Sequence, residues 1–275
     1  MTSESISTGQ TFWDHLDALR SVLVRSAIVV IVFTCVAFVF KEQLFAFVLA
    51  PGKADFVAYR WLDRAAALWG GDAAAPFTLS LINTGMAQQF MIHVKTAFCA
   101  GLLCASPYII YELFRFIAPG LYDAERRVAV GVAGGGYIMF MAGVAVSYLI
   151  VFPLTARFLG EYQVAPDVPN LITLESYMST LIMLTLAMGV VFEMPVVAWL
   201  LARMGLLSPG FMQRYRRHAI VVIVVAAAII TPTSDAFTLL VVSLPMWLLY
   251  ELSIFIVSHT SGRSASVVDD AAPVE

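Results

Sequence analysis

Residues 177–202 read YMSTLIMLTLAMGVVFEMPVVAWLLA, a run of 26 residues with one charge, Glu193. A helix needs roughly 20 mostly apolar residues to cross the hydrocarbon of a bilayer. The run is continuous rather than alternating, so it predicts a membrane-spanning helix and not a barrel strand. Counted from Leu181, Glu193 lies about 18 Å into the helix, close to the midplane. A bare carboxylate at that depth costs roughly 2.5–3.5 kcal/mol or more. It must face protein or a wet groove, or be protonated. Pro195 follows two residues later and bends the helix beside it.

The rest of the chain repeats the pattern. Spans are predicted at Ser21–Phe40, Met91–Tyr111, Val128–Phe152, Tyr177–Ala202, His218–Ile230 and Ala236–Val257. The fifth holds 13 residues, about 20 Å of helix against a hydrocarbon of about 30 Å, so its ends snorkel or the bilayer thins. The turn Thr231-Pro232-Thr233-Ser234-Asp235 joins it to the sixth as a helical hairpin. Pro107, Pro195 and Pro245 lie within helices, and Pro153 sits just past the end of one. Bent helices make concave faces. The expected fold is an all-α integral membrane protein, a bent bundle of six transmembrane helices packed as one unit. Gly131 and Gly135 form a small-xxx-small pattern read as close helix packing.

Composition excludes most other classes. Of 275 residues, 60% are apolar and 13% charged, against roughly 45–50% and about 25% in soluble domains. A net charge of −3 offers nucleic acid no attraction. Cys35, Cys99 and Cys104 fall in apolar runs without ligand spacing and read as small hydrophobes. Asp14 and Asp17 precede the first span and no basic region or cleavage site accompanies them, so a cleavable signal peptide is not expected.

Lysine and arginine set the orientation. The connections 112–127 and 203–217 hold seven arginines, whereas 153–176 and 231–235 hold Arg157 alone. The basic side faces the cytoplasm, and both termini with it, although the long first outer loop weakens the contrast with Lys41, Lys53, Arg60 and Arg64. Residues 1–20 form a cytoplasmic segment, 21–257 the six-helix domain with an outer loop at 41–90, and 258–275 a disordered cytoplasmic tail. Within the outer loop, Phe56 to Trp69 is amphipathic and reads as a helix capping the outer face.

Several charges leave alternatives open. Glu193 either pairs with a neighbour such as Lys95 or a freed amide, or serves as a polar docking point or a proton-linked group. Arg25 lies one turn inside the first span, where snorkelling is the simpler reading. His93 and Lys95 read the same way. Glu251 either snorkels or pairs with Arg25.

The strongest local pattern joins the second and third spans: Ser106-Pro107-Tyr108, Tyr111-Glu112-Leu113-Phe114-Arg115-Phe116, then Pro119-Gly120-Leu121-Tyr122 and Glu125-Arg126-Arg127. It resembles the signature of TatC, the multispanning subunit of the twin-arginine (Sec-independent) protein translocase. Val151-Phe152-Pro153-Leu154, Gly189 to Val196, Ile230-Thr231-Pro232, Asp235, Leu244-Pro245-Met246 and Leu249-Tyr250-Glu251 extend the likeness along most of the chain. The resemblance implies a receptor and scaffold in the bacterial inner membrane. It would bind Arg-Arg signal peptides of folded cargo and work in a multimeric complex with TatA- and TatB-type single-span partners. The proton-motive force would drive transport, with no cofactor, metal or nucleotide; the chain has no G-x-x-x-x-G-K-[ST] loop.

The resemblance also assigns residues. Glu125 matches the signal-binding glutamate, and Phe116 an aromatic of the same patch. Two guanidinium groups call for carboxylates, because arginine forms planar paired hydrogen bonds that lysine cannot copy. The family's N-terminal pattern H-L-x-E-L-R-x-R-L reads His15-Leu16-Asp17-Ala18-Leu19-Arg20-Ser21-Val22-Leu23 here. Arg20 matches. The glutamate is replaced by Ala18, with Asp17 one residue earlier and rotated by about 100° on a helix. The signature's glutamine is Glu112, an extra carboxylate that compensates in part. Glu193 matches the intramembrane glutamate that meets a partner's helix or the inserted signal, and Asp235 the acidic residue of the last outer turn.

Two other functions compete. A proton-coupled secondary transporter would use Glu193 as carrier, but no inverted repeat is visible. An intramembrane enzyme finds no H-E-x-x-H or G-x-S-x-G among its residues.

Overall fold

The computed structural model describes residues 12–68, 78–117, 129–163, 165, 167, 170–231 and 235–269. Eleven helices follow in order among them: α1 (Phe12–Val39), α2 (Lys41–Val48), α3 (Val57–Leu68), α4 (Gln88–Ile117), α5 (Ala129–Val146), α6 (Phe152–Glu161), α7 (Leu174–Val191), α8 (Met194–Arg203), α9 (Pro209–Arg214), α10 (Arg216–Ile230) and α11 (Ala236–Asp269). The chain is an all-α integral membrane protein. Among the described residues, five stretches are long and apolar enough to cross a bilayer: Leu16–Val39, Gln88–Phe116, Gly131–Glu161, Leu174–Arg203 and Ala236–His259. They answer to five of the six predicted spans. The remaining one is α10, 15 residues long, or about 22 Å.

Helix boundaries differ from the sequence reading at several points. α1 begins at Phe12 rather than Ser21, and α11 runs on to Asp269, through most of the tail expected to be disordered, because the helix continues without a proline to break it. The third span does not close at Pro153. A π turn at Ser147–Val151 lets the Phe152 N–H reach the Ser147 carbonyl, five residues back. Pro153 then falls in the first turn of α6, where its missing N–H is not required, and the rod continues to Glu161. The fourth span is broken rather than bent. α7 ends at Val191 and α8 begins at Met194, because Pro195 has no N–H to give the Val191 carbonyl. Pro107 and Pro245, by contrast, lie inside the unbroken α4 and α11.

The described residues group into two compact units, within Met1–Val39 and Ala97–Tyr137 for the first, and Phe40–Thr96 and Ile138–Glu275 for the second. In the first, α1 crosses α4 where Gly101 meets Thr34. A Cβ on Gly101 would lie 2.6 Å from the Thr34 backbone nitrogen. Most of α1 is otherwise exposed, including Leu23, Ile28 and Ile31, as a lipid-facing helix should be.

The second unit is built around α7. Met178, Leu181, Leu184 and Met188 are buried with Phe152, Ile223, Ala227, Val242 and Met246. Glycines permit the approach of α5 to α7: a Cβ on Gly143 would lie 2.8 Å from the Phe192 Cβ, and one on Gly189 2.7 Å from the Phe140 ring. Among the described residues the predicted Gly131 and Gly135 contact is not made; a Cβ at either would meet none of them within 4 Å. Glycine spacing marks where approach is allowed, and the packed partner decides where it happens.

The amphipathic outer stretch is a packed cap. Phe56, Ala58 and Tyr59 are buried, and Phe56 meets the Tyr148 ring edge-on at 5.5 Å. The Tyr59 hydroxyl donates to the Pro51 carbonyl at 2.8 Å. Burial pushes the Tyr59 phenol up to about 12, opposed by the Arg157 guanidinium stacked 5.9 Å over its ring. A parallel two-residue ladder, Leu81 with Ile172 and Ile82 with Thr173, links this loop to the start of α7. No sequence pattern announces strands this short.

Gly101→Val should lower the thermal stability of the detergent-purified chain by about 1–3 kcal/mol, the usual cost of overpacking. Gly131→Val should leave it within about 0.5 kcal/mol. Equal effects in thermal unfolding would contradict the assigned crossing.

Candidate functional site

Two acidic centres emerge, one in each unit. In the first, Glu112 sits near the C-terminus of α4 and is 4% exposed. Tyr108, one turn earlier, donates its hydroxyl to Oε1 at 3.2 Å. Arg115 Nη1, three residues later, lies 3.9 Å from the same oxygen. Arg25 of α1 reaches it at 4.0 Å. The i, i+3 and i, i+4 spacings bring the α4 groups onto one helix face, and the Gly101 crossing brings α1 within reach.

The other predicted residues of this region lie toward the same end of the helix pair. From their crossing, α1 and α4 run in opposite directions, so lower numbers on α1 accompany higher numbers on α4. Arg20 and Asp17 lie beyond Arg25, and Asp17 is about 12 Å from it along the axis. Both are exposed. Phe116, half-buried, follows one turn after Glu112. Asp17 and Arg25, eight residues apart, differ by about 80° around the helix, so they share its broad side. Glu125 lies outside the described residues, as do 232–234 of the final turn.

In the second unit, Glu193 stands at the break between α7 and α8. Its backbone is well used. The N–H donates to the Val190 carbonyl at 3.1 Å, and its own carbonyl accepts from Val196 at 3.0 Å and Val197 at 2.9 Å. One oxygen of its side chain, Oε1, is buried without a hydrogen-bond partner among the described residues. Lys95 does not serve it. Lys95 Nζ lies 3.6 Å from Glu175 Oε1, and Gln88 donates to the other Glu175 oxygen at 2.6 Å. Glu251 is held by Arg216 at 2.8 Å. Asp235 caps α11, its Oδ1 accepting from the Thr238 N–H at 2.7 Å. No group of metal-ligating side chains occurs among the described residues.

A family model described as Sec-independent protein translocase protein (TatC) matches residues 14–245. The chain belongs to the TatC family. The Sec-independent protein translocase protein TatC of Koribacter versatilis is 34% identical over 254 residues, 92% of this chain and 86% of the relative. That of Blattabacterium sp. subsp. Periplaneta americana is 31% identical over 257 residues, 92% of this chain and 96% of the relative. A crystal structure of a protein described as the twin-arginine translocase receptor TatC superposes with a TM-score of 0.72 at 29% identity, covering 90% of this chain and 99% of that one. The relatives are translocase components, which favours the translocase reading over the solute transporter.

In this TatC-family chain the acidic positions stand out in the sequence, but not all of their partners do. Arg25 read as a snorkelling residue and turns out to face a buried carboxylate. Tyr108 and Arg115 stand one helical turn from Glu112, a spacing from which the cluster could have been inferred. No sequence feature points to Arg25 as its partner, because the contact depends on where α1 crosses α4.

Glu193→Gln should leave thermal stability unchanged or raise it, since no ion pair is lost. Glu112→Ala should cost about 1–2 kcal/mol, the range for removing a shared acceptor from exposed cations. Thermal unfolding of both variants in detergent checks this, and a larger loss for Glu193→Gln would contradict it.

Proposed function

We propose that this chain is the receptor and core scaffold of a twin-arginine translocation complex. It binds Arg-Arg signal peptides of folded proteins and docks TatA- and TatB-type single-span partners for export driven by the proton-motive force. It does so in the bacterial inner membrane with both termini in the cytoplasm, as the arginine bias of the loops indicates. The observation that carries this reading is the gathering of Asp17, Arg20, Glu112 and Phe116 toward one end of the α1–α4 pair in a TatC-family chain.

The chemistry follows from the ligand. Two adjacent guanidinium groups offer planar arrays of donors that match carboxylates bidentately. Glu125 and Asp17 supply the principal acceptors, and Glu112 a third. Phe116 supplies an aromatic face on which a guanidinium or an apolar leader residue packs. Arg20 orients the acidic groups. Ala18 removes the family's usual carboxylate, so Asp17 approaches from a position turned by about 100°.

Glu193 serves as the intramembrane docking point. Its unpartnered oxygen at a helix break accepts from a polar group on a partner's helix or on the inserted signal. A hydrogen bond made there replaces no existing one, so docking loses nothing inside the chain. Asp235, the acidic residue of the last outer turn, caps α11.

A photoreactive residue at Ala18, beside Asp17, tests the reading in membrane vesicles. An Arg-Arg signal peptide should label at least about tenfold more strongly than its Lys-Lys counterpart, the factor expected from losing a bidentate contact. Equal labelling by the two peptides would contradict paired guanidinium recognition.

A further inference from the structure

The buried carboxylate of Glu112 is already met by two guanidinium groups, and both belong to this chain. Arg25 Nη1 and Arg115 Nη1 stand 4.0 and 3.9 Å from Oε1, and Tyr108 donates to that same oxygen. Oε2 takes no hydrogen bond or ion pair among the described residues. The acceptor side chain is 6% exposed, whereas the two arginine side chains are 55% and 65% exposed. The anion is fixed by its surroundings and the cations are at the surface. Both contacts are longer than charge-assisted hydrogen bonds, which run about 2.7–2.9 Å.

A pair of guanidinium groups on one carboxylate is also what an Arg-Arg leader would bring. We propose that Arg25 and Arg115 are specificity-determining residues: they occupy Glu112 in the resting receptor as an internal stand-in for the cargo's arginine pair, and the cargo must displace them. This rests on the reading of the chain as a twin-arginine receptor. Ion pairs this long, with the cation left in solvent, are weak, each worth about a factor of five or less in an equilibrium. An arriving guanidinium that seats in two parallel hydrogen bonds outcompetes them. An ammonium, a point charge without the planar fork, has no such advantage and exchanges poorly. The internal pair therefore sets a threshold that arginine crosses and lysine does not. With the glutamine of the family signature at this position there would be no charge for Arg25 and Arg115 to occupy, so the threshold belongs to this chain's Glu112.

A merely structural role for the trio makes a different forecast. A staple between α1 and α4 would weaken every ligand's binding when cut, through lost stability. A stand-in frees its carboxylate when removed.

Equilibrium binding of fluorescent Arg-Arg and Lys-Lys signal peptides to the full chain in nanodiscs separates these. Arg25→Gln and Arg115→Gln should each strengthen Lys-Lys binding about fivefold and Arg-Arg binding by less, narrowing the discrimination. Adding Glu112→Gln to either variant should cancel the gain. Arg115 makes its contact within its own helix, so Arg115→Gln keeps the test readable if Arg25→Gln disturbs the α1–α4 pair. Unchanged or weaker binding of both peptides to Arg115→Gln, at wild-type thermal stability and with the wild-type chain still preferring Arg-Arg, would overturn this proposal alone. A wild-type chain that binds both peptides equally would overturn the receptor reading together with it.

Discussion

A charge that enters hydrocarbon must find a partner or reach water, and this requirement organises the molecule. The described ion pairs show the pattern. Lys95 with Glu175, Arg157 with Glu161, Arg216 with Glu251, and Arg25 and Arg115 with Glu112 each neutralise a charge beside an apolar helix. Several also tie segments far apart in sequence, so the pairing that solvates a charge also fixes a helix register. Glu193 departs from this, with a buried carboxylate oxygen and no hydrogen-bond partner. The departure coincides with the break between α7 and α8, where Pro195 interrupts the backbone ladder.

The fold class was legible because hydropathy over a run of twenty residues is a strong signal and tolerates error at each position. The Tyr177–Ala202 stretch could be little else than a span. Its interruption at Phe192–Glu193 was half legible: Pro195 forecast a bend, but whether a proline bends or breaks a helix depends on packing around it. The same residue type at 107 and 245 leaves α4 and α11 continuous. Pro153 misled for the converse reason. The π turn before it holds Ser147 and Val151, both buried, and carries no sequence mark.

The candidate site was legible as residues and illegible as partnerships. Motif resemblance pointed to Asp17, Glu112, Phe116 and Glu193, and helical spacing could have tied Tyr108 and Arg115 to Glu112. Arg25 required three dimensions, since its reach to Glu112 follows from Gly101 meeting Thr34. The glycines repeat the lesson. Gly131 and Gly135 have the spacing of a packing motif and meet nothing among the described residues, while Gly101, Gly143 and Gly189 carry the close approaches.

A charge swap tests the central claim most directly. The chain with Asp17→Arg and Glu125→Arg, reconstituted in nanodiscs, would be titrated with signal peptides carrying Arg-Arg or Glu-Glu. On this account the reversed receptor loses the Arg-Arg peptide and gains the Glu-Glu peptide. Undiminished affinity for Arg-Arg would contradict recognition of paired guanidinium groups by these carboxylates.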